Sequence, residues 1–323
     1  MKATAKSPAN IAFIKYWGKT DLKSRVPENN SISMCLSDLY SRCTVEFRKD
    51  LKTDEIEFKN EAVVKEKEKE RIVGVVERVR RLGGVKWKAR VVTENNFPKA
   101  TGIASSASGL SAVTVAALGA LGMKMSEKEV SKLARLASGT ASRSIPDGWV
   151  EWVKGRGADD SYSKQIFPVD WWQITDVVGI VTHKMKKVSS TEGHALARTS
   201  PFYKARIQGM KEKVRKIKEL IKRRDFSRFG RLVEAEALNM HAICMTSQPA
   251  IIYWNEITIK AMKEVMRWRE RGLESYFTID AGPSVHVICE EKNAKEVAER
   301  LRKIKGVKRA VINLPGVGAR LLT

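Results

Sequence analysis

Apolar residues at Ile207, Met210, Val214, Ile217 and Leu220 recur every three or four positions, while the intervening residues are rich in Lys and Arg. That spacing predicts one long helix with a single buried face. Asp225 or Ser227 is placed to cap the next helix, which runs through RLVEAEALNMHAI. Further helices are expected after Asn255 and before Gly306. In the first half, EAVVKEKEKERIVGVVERVRRLGG has helical spacing and closes on the Gly83-Gly84 stop signal. Ser126 and Glu129 form a capping-box pattern ahead of VSKLARLAS. Thr44–Phe47 and Val85–Val92 alternate β-branched or aromatic residues and read as strands. DVVGIVTHK begins as a buried strand, and YFTID, VHVICE and VKRAVIN suit three more. Helices and strands are thus mixed throughout. A boundary near Trp172 divides the chain into domains 1–171 and 172–323, a division its 323 residues can sustain.

Charge narrows the partners. Lys and Arg number 60 against 37 Asp and Glu, a formal net charge of +23. Such an excess favours nucleotides, polyphosphorylated metabolites, nucleic acid or membrane surfaces, and a heat-adapted surface produces the same excess. The basic residues are spread along the chain without a nucleic-acid-binding motif, so nucleic acid is not expected as the main partner. No run approaches the roughly 18 apolar residues that a membrane span needs. The N-terminus lacks a signal-peptide core, and a cytoplasmic location is expected. Cys35, Cys43, Cys244 and Cys289 form no CxxC pair and read as buried thiols, with a disulfide left open for a hyperthermophile.

Five segments carry candidate chemistry. PKATGIASSASG places six small residues, Ala104 to Gly109, before the apolar helix LSAVTVAALGALGM. A helix start with unpaired N–H groups suits phosphate, although the same small residues also allow close helix packing. SPANIAFIKYWGK sets Lys15 among apolar residues, where it needs an anionic partner or must snorkel to the surface. SGTASRSIPDGWVEW presents Arg143, whose planar fork fits a carboxylate or phosphate, or pairs with Asp147. KKVSSTEGH reads as an N-cap or as a phosphate contact. In YFTIDAGPSVHVI, Asp280 closes a strand and enters a glycine turn facing a cleft, or serves that turn structurally. The four histidines form neither a metal cluster nor a Ser-His-Asp order.

Taken together, PANIAFIKYWGK, NNSISMCLSD, ENNFPKATGIASSASG, SGTASRS with GWVEW, VSSTEGH and YFTIDAGP resemble, in order and nearly end to end, the diphosphomevalonate decarboxylases of the GHMP small-molecule kinase superfamily. HAICMTSQPAIIYWN is similar to a family segment over the substrate side. The resemblance implies an α/β (α+β), two-domain GHMP kinase-type fold with the active-site cleft between the domains. It implies that ATP phosphorylates the 3-hydroxyl of mevalonate 5-diphosphate, after which phosphate and carbon dioxide leave to give isopentenyl diphosphate. By matching positions, Asp280 is the catalytic carboxylate, and Arg143 clamps the substrate carboxylate with support from Asn10. Lys15 completes the charged cluster. Tyr16, Trp17, Lys19, Ser138, Thr140, Ser190 and Thr191 match the substrate diphosphate region. Ala104, Ser105, Ser106, Ala107, Ser108 and Gly109 match the ATP-phosphate loop, with Ser106 reaching Mg2+ through the phosphates. ATP and Mg2+ are the implied cofactors.

One departure stands out. Ile145-Pro146-Asp147-Gly148 carries Asp147 where the family more usually has a second glycine, adding charge and stiffness beside Arg143. Thr140, Ser142 and His194 are milder variations. A mevalonate 5-monophosphate decarboxylase and a mevalonate 3-kinase are the enzyme alternatives. The sequence leaves the oligomeric state open, a homodimer included.

Overall fold

A computed structural model describes residues 1–59, 66–97, 105–181 and 188–322. The first half runs β1 (Lys2–Ile14), β2 (Lys19–Asp21), β3 (Val26–Pro27), β4 (Ser31–Arg48), β5 (Glu55–Phe58), α1 (Glu66–Leu82), β6 (Lys88–Asn95), α2 (Ser105–Ala120), α3 (Glu127–Ala137), β7 (Trp149–Val153) and β8 (Tyr162–Phe167). The second half runs β9 (Ile174–Ile180), α4 (Ser190–Leu196), α5 (Tyr203–Arg223), α6 (Phe226–Thr246), α7 (Glu256–Glu270), β10 (Ser275–Thr278), β11 (Val285–Glu290), α8 (Ala294–Lys303), β12 (Arg309–Asn313) and β13 (Arg320–Leu322).

Two sheets organise these elements. The larger follows the order β13-β1-β4-β6-β5, with β7 and β8 added at the start of β4. Strand β4 makes this branch possible: Ser31–Met34 pair with β7, whereas Ser41–Arg48 pair with β6. The smaller sheet is antiparallel, in the order β10-β11-β9-β12. Helices α1, α2 and α3 pack an apolar face containing Val76, Val113 and Leu133 onto the larger sheet. Helices α7 and α8 cover the smaller one through Val265, Trp268 and Leu301. A further cluster, including Phe13, Trp149, Trp172, Val178 and Phe229, joins residues of both sheets to α5 and α6.

Several expectations are met locally. Ser126 and Glu129 form the capping box of α3, Asp225 rather than Ser227 caps α6, and Asn255 caps α7. The face of α5 carrying Met210, Val214, Ile217 and Leu220 is buried. Other boundaries move. The strand expected over Val85–Val92 runs from Lys88 to Asn95, because Gly83 and Gly84 end α1 and the chain turns before pairing. Thr44–Phe47 is the end of an 18-residue strand. The strand in DVVGIVTHK ends at Ile180, and its Thr182–Lys184 portion lies outside the described residues. β1 was not legible from alternation, because every residue from Ser7 to Lys19 is buried and both of its faces are covered.

Candidate active site

Strand β1 carries Asn10 inward, and the buried segment beyond its end carries Lys15. Lys15 is 2% exposed and donates from Nζ to Asp280 Oδ1 at 2.5 Å, whereas the Asp280 side chain keeps 19% of its surface open. This is a buried ion pair with an accessible carboxylate, so the snorkelling alternative for Lys15 fails. Asp280 lies two residues beyond the end of β10, in a turn where Gly282 N–H donates to the Asp280 carbonyl at 2.7 Å. It therefore follows the strand rather than closing it. Two bonds hold the backbone of Lys15: Asn29 Nδ2 and Arg206 Nη2 each donate to its carbonyl at 3.1 Å. Arg206 is itself paired with Glu236 at 2.5 Å, both fully buried.

Arg143 comes from the short 3-10 helix Gly139–Ser144 and is 1% exposed. Its Nη1 donates to Ser31 Oγ at 3.3 Å, and its Nε has no partner among the described residues. Pairing with Asp147 does not occur. Asp147 is solvent-exposed and accepts from Gly318 N–H at 2.6 Å, so the unusual residue anchors the C-terminal segment instead of neutralising Arg143. Asn10 Nδ2 donates to Ser144 Oγ at 2.8 Å and to the Thr140 carbonyl, which leaves Asn10 Oδ1 buried without a partner among the described residues. Burial alone would raise the Asp280 carboxyl, but the charges of Lys15 and Arg143 hold it below its ordinary range. Burial lowers Lys15 in spite of Asp280.

A second group surrounds the end of α3. Arg25 Nε donates to the Leu136 carbonyl at 3.0 Å, and Arg71 donates to the Ala137 carbonyl from Nε at 3.3 Å and Nη2 at 3.1 Å. Ser138 Oγ lies 3.2 Å from Thr140 Oγ1. At Gly139 a Cβ would stand 2.9 Å from the Tyr16 hydroxyl, so glycine allows the ring to approach. Lys19 follows the Gly18 turn (φ +100°) and is 7% exposed. Burial, then the charges of Arg25 and Arg71, bring its pKa down to about 8. Burial raises Tyr16 to about 12, so its hydroxyl remains a donor.

Tyr16 stacks on His194 and Trp17 packs against it at a tilt, with ring centroids 4.3 and 4.5 Å away. His194 Nδ1 accepts from Gly18 N–H at 3.0 Å, so this end of α4 fixes the turn that carries Lys19. Ser189 and Glu192 make a capping box, leaving Ser190 and Thr191 as first-turn residues. Lys186 and Lys187 lie outside the described residues.

The small-residue loop divides. Ala104 and the preceding Pro98–Ile103 lie outside the described residues, and Ser105 is the first residue of α2. Ser106 and Gly109 line a pocket with Arg71, Thr93 and Asn95. Ala107 and Ser108 are turned into the interior, where Ser108 Oγ lies 2.7 Å from Ser41 Oγ. Close packing thus accounts for Ala107 and Ser108, while Ser106 and Gly109 face the pocket.

Arg25, Arg71, His241 and the Asn29–Arg206 support were not singled out from the sequence. Arg71 looks there like any basic position of an amphipathic helix. His241 sits in a helix interior, where its Nε2 lies 3.3 Å from the Ile279 carbonyl, next to Asp280. No spacing rule marks either. Among the described residues no group of three or more His, Cys, Asp or Glu could hold a metal ion. Nor does any described helix have the length and apolarity to cross a membrane.

Known proteins match this arrangement over nearly the whole chain. The family model of the diphosphomevalonate decarboxylase-like N-terminal domain matches residues 7–163, and that of the mevalonate 5-diphosphate decarboxylase C-terminal domain matches 177–314. A diphosphomevalonate decarboxylase of Debaryomyces hansenii is 32% identical, over 91% of this chain and 81% of the relative. A phosphomevalonate decarboxylase of Haloferax volcanii is also 32% identical, over 93% and 91% respectively. A solved structure, MDDEF in complex with MVAPP, AMPPCP and magnesium, superposes with a TM-score of 0.92 at 34% identity, covering 100% of this chain and 99% of that one. The fold is thus the mixed α/β, two-domain kind of those decarboxylases, and the chain belongs to the diphosphomevalonate decarboxylase family.

Proposed function

We propose that the protein uses ATP to phosphorylate the 3-hydroxyl of mevalonate 5-diphosphate and then releases phosphate and carbon dioxide, forming isopentenyl diphosphate. The observation that carries this reading is the convergence of Lys15, Asp280 and Arg143, drawn from three distant parts of the chain. The proposed domains, 1–171 and 172–323, would meet there, since Lys15 belongs to one and Asp280 to the other.

A tertiary alcohol is a poor nucleophile, and hydroxide is a poor leaving group. Phosphoryl transfer forms a bond from O3 to the γ-phosphorus as the bond to ADP breaks, and the hydroxyl proton leaves O3 by way of Asp280 to solvent. The C3–O bond then breaks with phosphate taking its electron pair, and the C1–C2 pair becomes the new double bond as carbon dioxide departs. Asp280, held ionised by two cations, is a weak base but a fixed anion, suited to orient the hydroxyl and to stabilise positive character at C3. Lys15 positions Asp280. Arg143 presents to the substrate carboxylate an Nε that has no partner among the described residues, with Asn10 assigned beside it in support.

Tyr16, Trp17, Lys19, Ser138, Thr140, Ser190 and Thr191 are assigned to the diphosphate side, supported by the cations at the end of α3, to which no carboxylate bonds among the described residues. Ser106 and Gly109 are assigned to ATP, supported by the pocket they line. Hydroxyls and helix-start N–H groups fit a magnesium-bound triphosphate, and Ser106 would reach the ion. When bound, magnesium would offset charge on the polyphosphates. Four free, buried cysteines support the cytoplasm as the setting. Sedimentation of the purified chain decides between monomer and homodimer.

The test is turnover with ATP and, separately, mevalonate 5-diphosphate, mevalonate 5-phosphate and mevalonate. ADP, phosphate and carbon dioxide should appear in equal amounts with the diphosphate. ADP without carbon dioxide would make the protein a 3-kinase. A strong preference for the monophosphate would align it with the Haloferax volcanii relative.

A further inference from the structure

Arg25 lies in the turn between β2 and β3, outside the motifs that place residues at the phosphate site, and its backbone is left-handed (φ 56°). A non-glycine residue pays a steric cost in that region and persists where its surroundings or its side chain's role require it. Its Nε is anchored on Leu136 O, one carbonyl before the Ala137 O that anchors Arg71, so two guanidinium groups are held at adjacent carbonyls. Neither Nη nitrogen of Arg25 has a hydrogen-bond partner among the described residues. Nearby carboxylates are engaged elsewhere: Asp21 accepts from Lys23 N–H and Ser24 Oγ, and Glu28 pairs with Arg198 and Lys154. Glu68, one turn before Arg71, raises the pKa of Arg71 by less than burial and Arg25 lower it. Positive charge is therefore in excess beside Ser138, Thr140 and the Tyr16 hydroxyl. Like charges held together repel, and an anionic ligand relieves both the repulsion and the desolvation.

We propose that Arg25 is a specificity residue of this phosphate site, its free Nη groups binding the distal phosphate of a diphosphate and favouring diphosphate over monophosphate ligands. This rests on the placement of the diphosphate at the end of α3. With Lys19 and Arg71 it makes three cations, which match the roughly three negative charges of a diphosphate monoester better than the roughly two of a monophosphate. The competing role is structural: Arg25 also caps the carbonyl end of α3, where a cation is favourable.

The experiment titrates the intact chain with magnesium-free inorganic pyrophosphate and with inorganic phosphate, for the wild type, R25A, R25K, K19A and the R25A/K19A pair. R25A should weaken pyrophosphate binding about 10- to 100-fold, the usual loss for one charge-assisted contact. The loss for phosphate should be smaller, R25K should recover part of the affinity, and the two alanine losses should not add, since both cations serve one anion. R25K guards against a folding loss in R25A. Equal losses for the two anions, or a lowered melting temperature with unchanged pyrophosphate affinity, would leave Arg25 as a helix cap and overturn the proposal. These titrations do not depend on turnover, so a wild type that binds pyrophosphate but decarboxylates nothing would refute the proposed reaction and leave Arg25 standing.

Discussion

Two charged regions of this molecule are built on opposite principles. At the Lys15–Asp280 pair, a buried cation meets a carboxylate at 2.5 Å, and Arg143 adds a second positive charge. Around the end of α3, Arg25 and Arg71 have backbone carbonyls as their bonded acceptors and Lys19 feels both charges, and no carboxylate hydrogen-bonds to the three among the described residues. A paired centre is already organised before substrate arrives, and its charges are spent on orienting one another. An unpaired centre stores repulsion that an anion relieves. The first region suits chemistry, which needs fixed dipoles, and the second suits binding, which gains from a charge left unsatisfied.

The largest expected effect comes from breaking the paired region. Asp280→Asn keeps size and hydrogen-bonding capacity but removes the anion, so the single-turnover rate should fall about 10²- to 10⁴-fold with the protein folded and both substrates bound. Near-native single turnover in a stable variant would remove Asp280 from catalysis. In the unpaired region, Lys19→Ala should act on the Michaelis constant for the diphosphate, raising it roughly 10- to 100-fold with a much smaller change in maximal rate. A fall in maximal rate alone would erase the distinction between the two regions.

pH sharpens the same contrast. The Lys19 pKa of about 8 lies below its unfolded value, so the folded protein releases a proton that the unfolded chain keeps. Below pH 8 the buried charge opposes folding, and from about 8 to 10.5 that penalty disappears, so stability from this group rises with pH. Affinity for the diphosphate should move the other way, weakening above pH 8 as the cation is lost. Thermal melts and pyrophosphate titrations across this range check both signs, and Lys19→Ala should flatten both trends. The smallest effect concerns the support beneath the cluster. Ser126→Ala removes the cap of α3 and should cost about 1 kcal/mol of stability, with turnover unchanged. A large kinetic effect would show that the carbonyls holding Arg25 and Arg71 depend on the far end of that helix.

Local physics was legible in the chain itself. The helical face of α5, the caps at Ser126, Asp225 and Asn255, and the stop at Gly83-Gly84 each depend on residues within a few positions of one another. The ordered motifs likewise point to Lys15, Arg143 and Asp280. Only the tertiary structure decided which alternative each of those side chains adopts. Lys15 is separated from Asp280 by 265 positions, and Asp147 turns toward Gly318 instead of Arg143. Strand β1 was hidden because burial on both faces erases alternation, and Ser106 and Ser108 diverge because two residues along a helix point to different sides. Arg25 and Arg71 read as ordinary surface charge, since nothing in a sequence records that two guanidinium groups reach adjacent carbonyls with no carboxylate bonded to either among the described residues. Periodicity and caps are short-range and survive in one dimension, whereas the pairing of a charge is a long-range contact that exists only once the chain has folded.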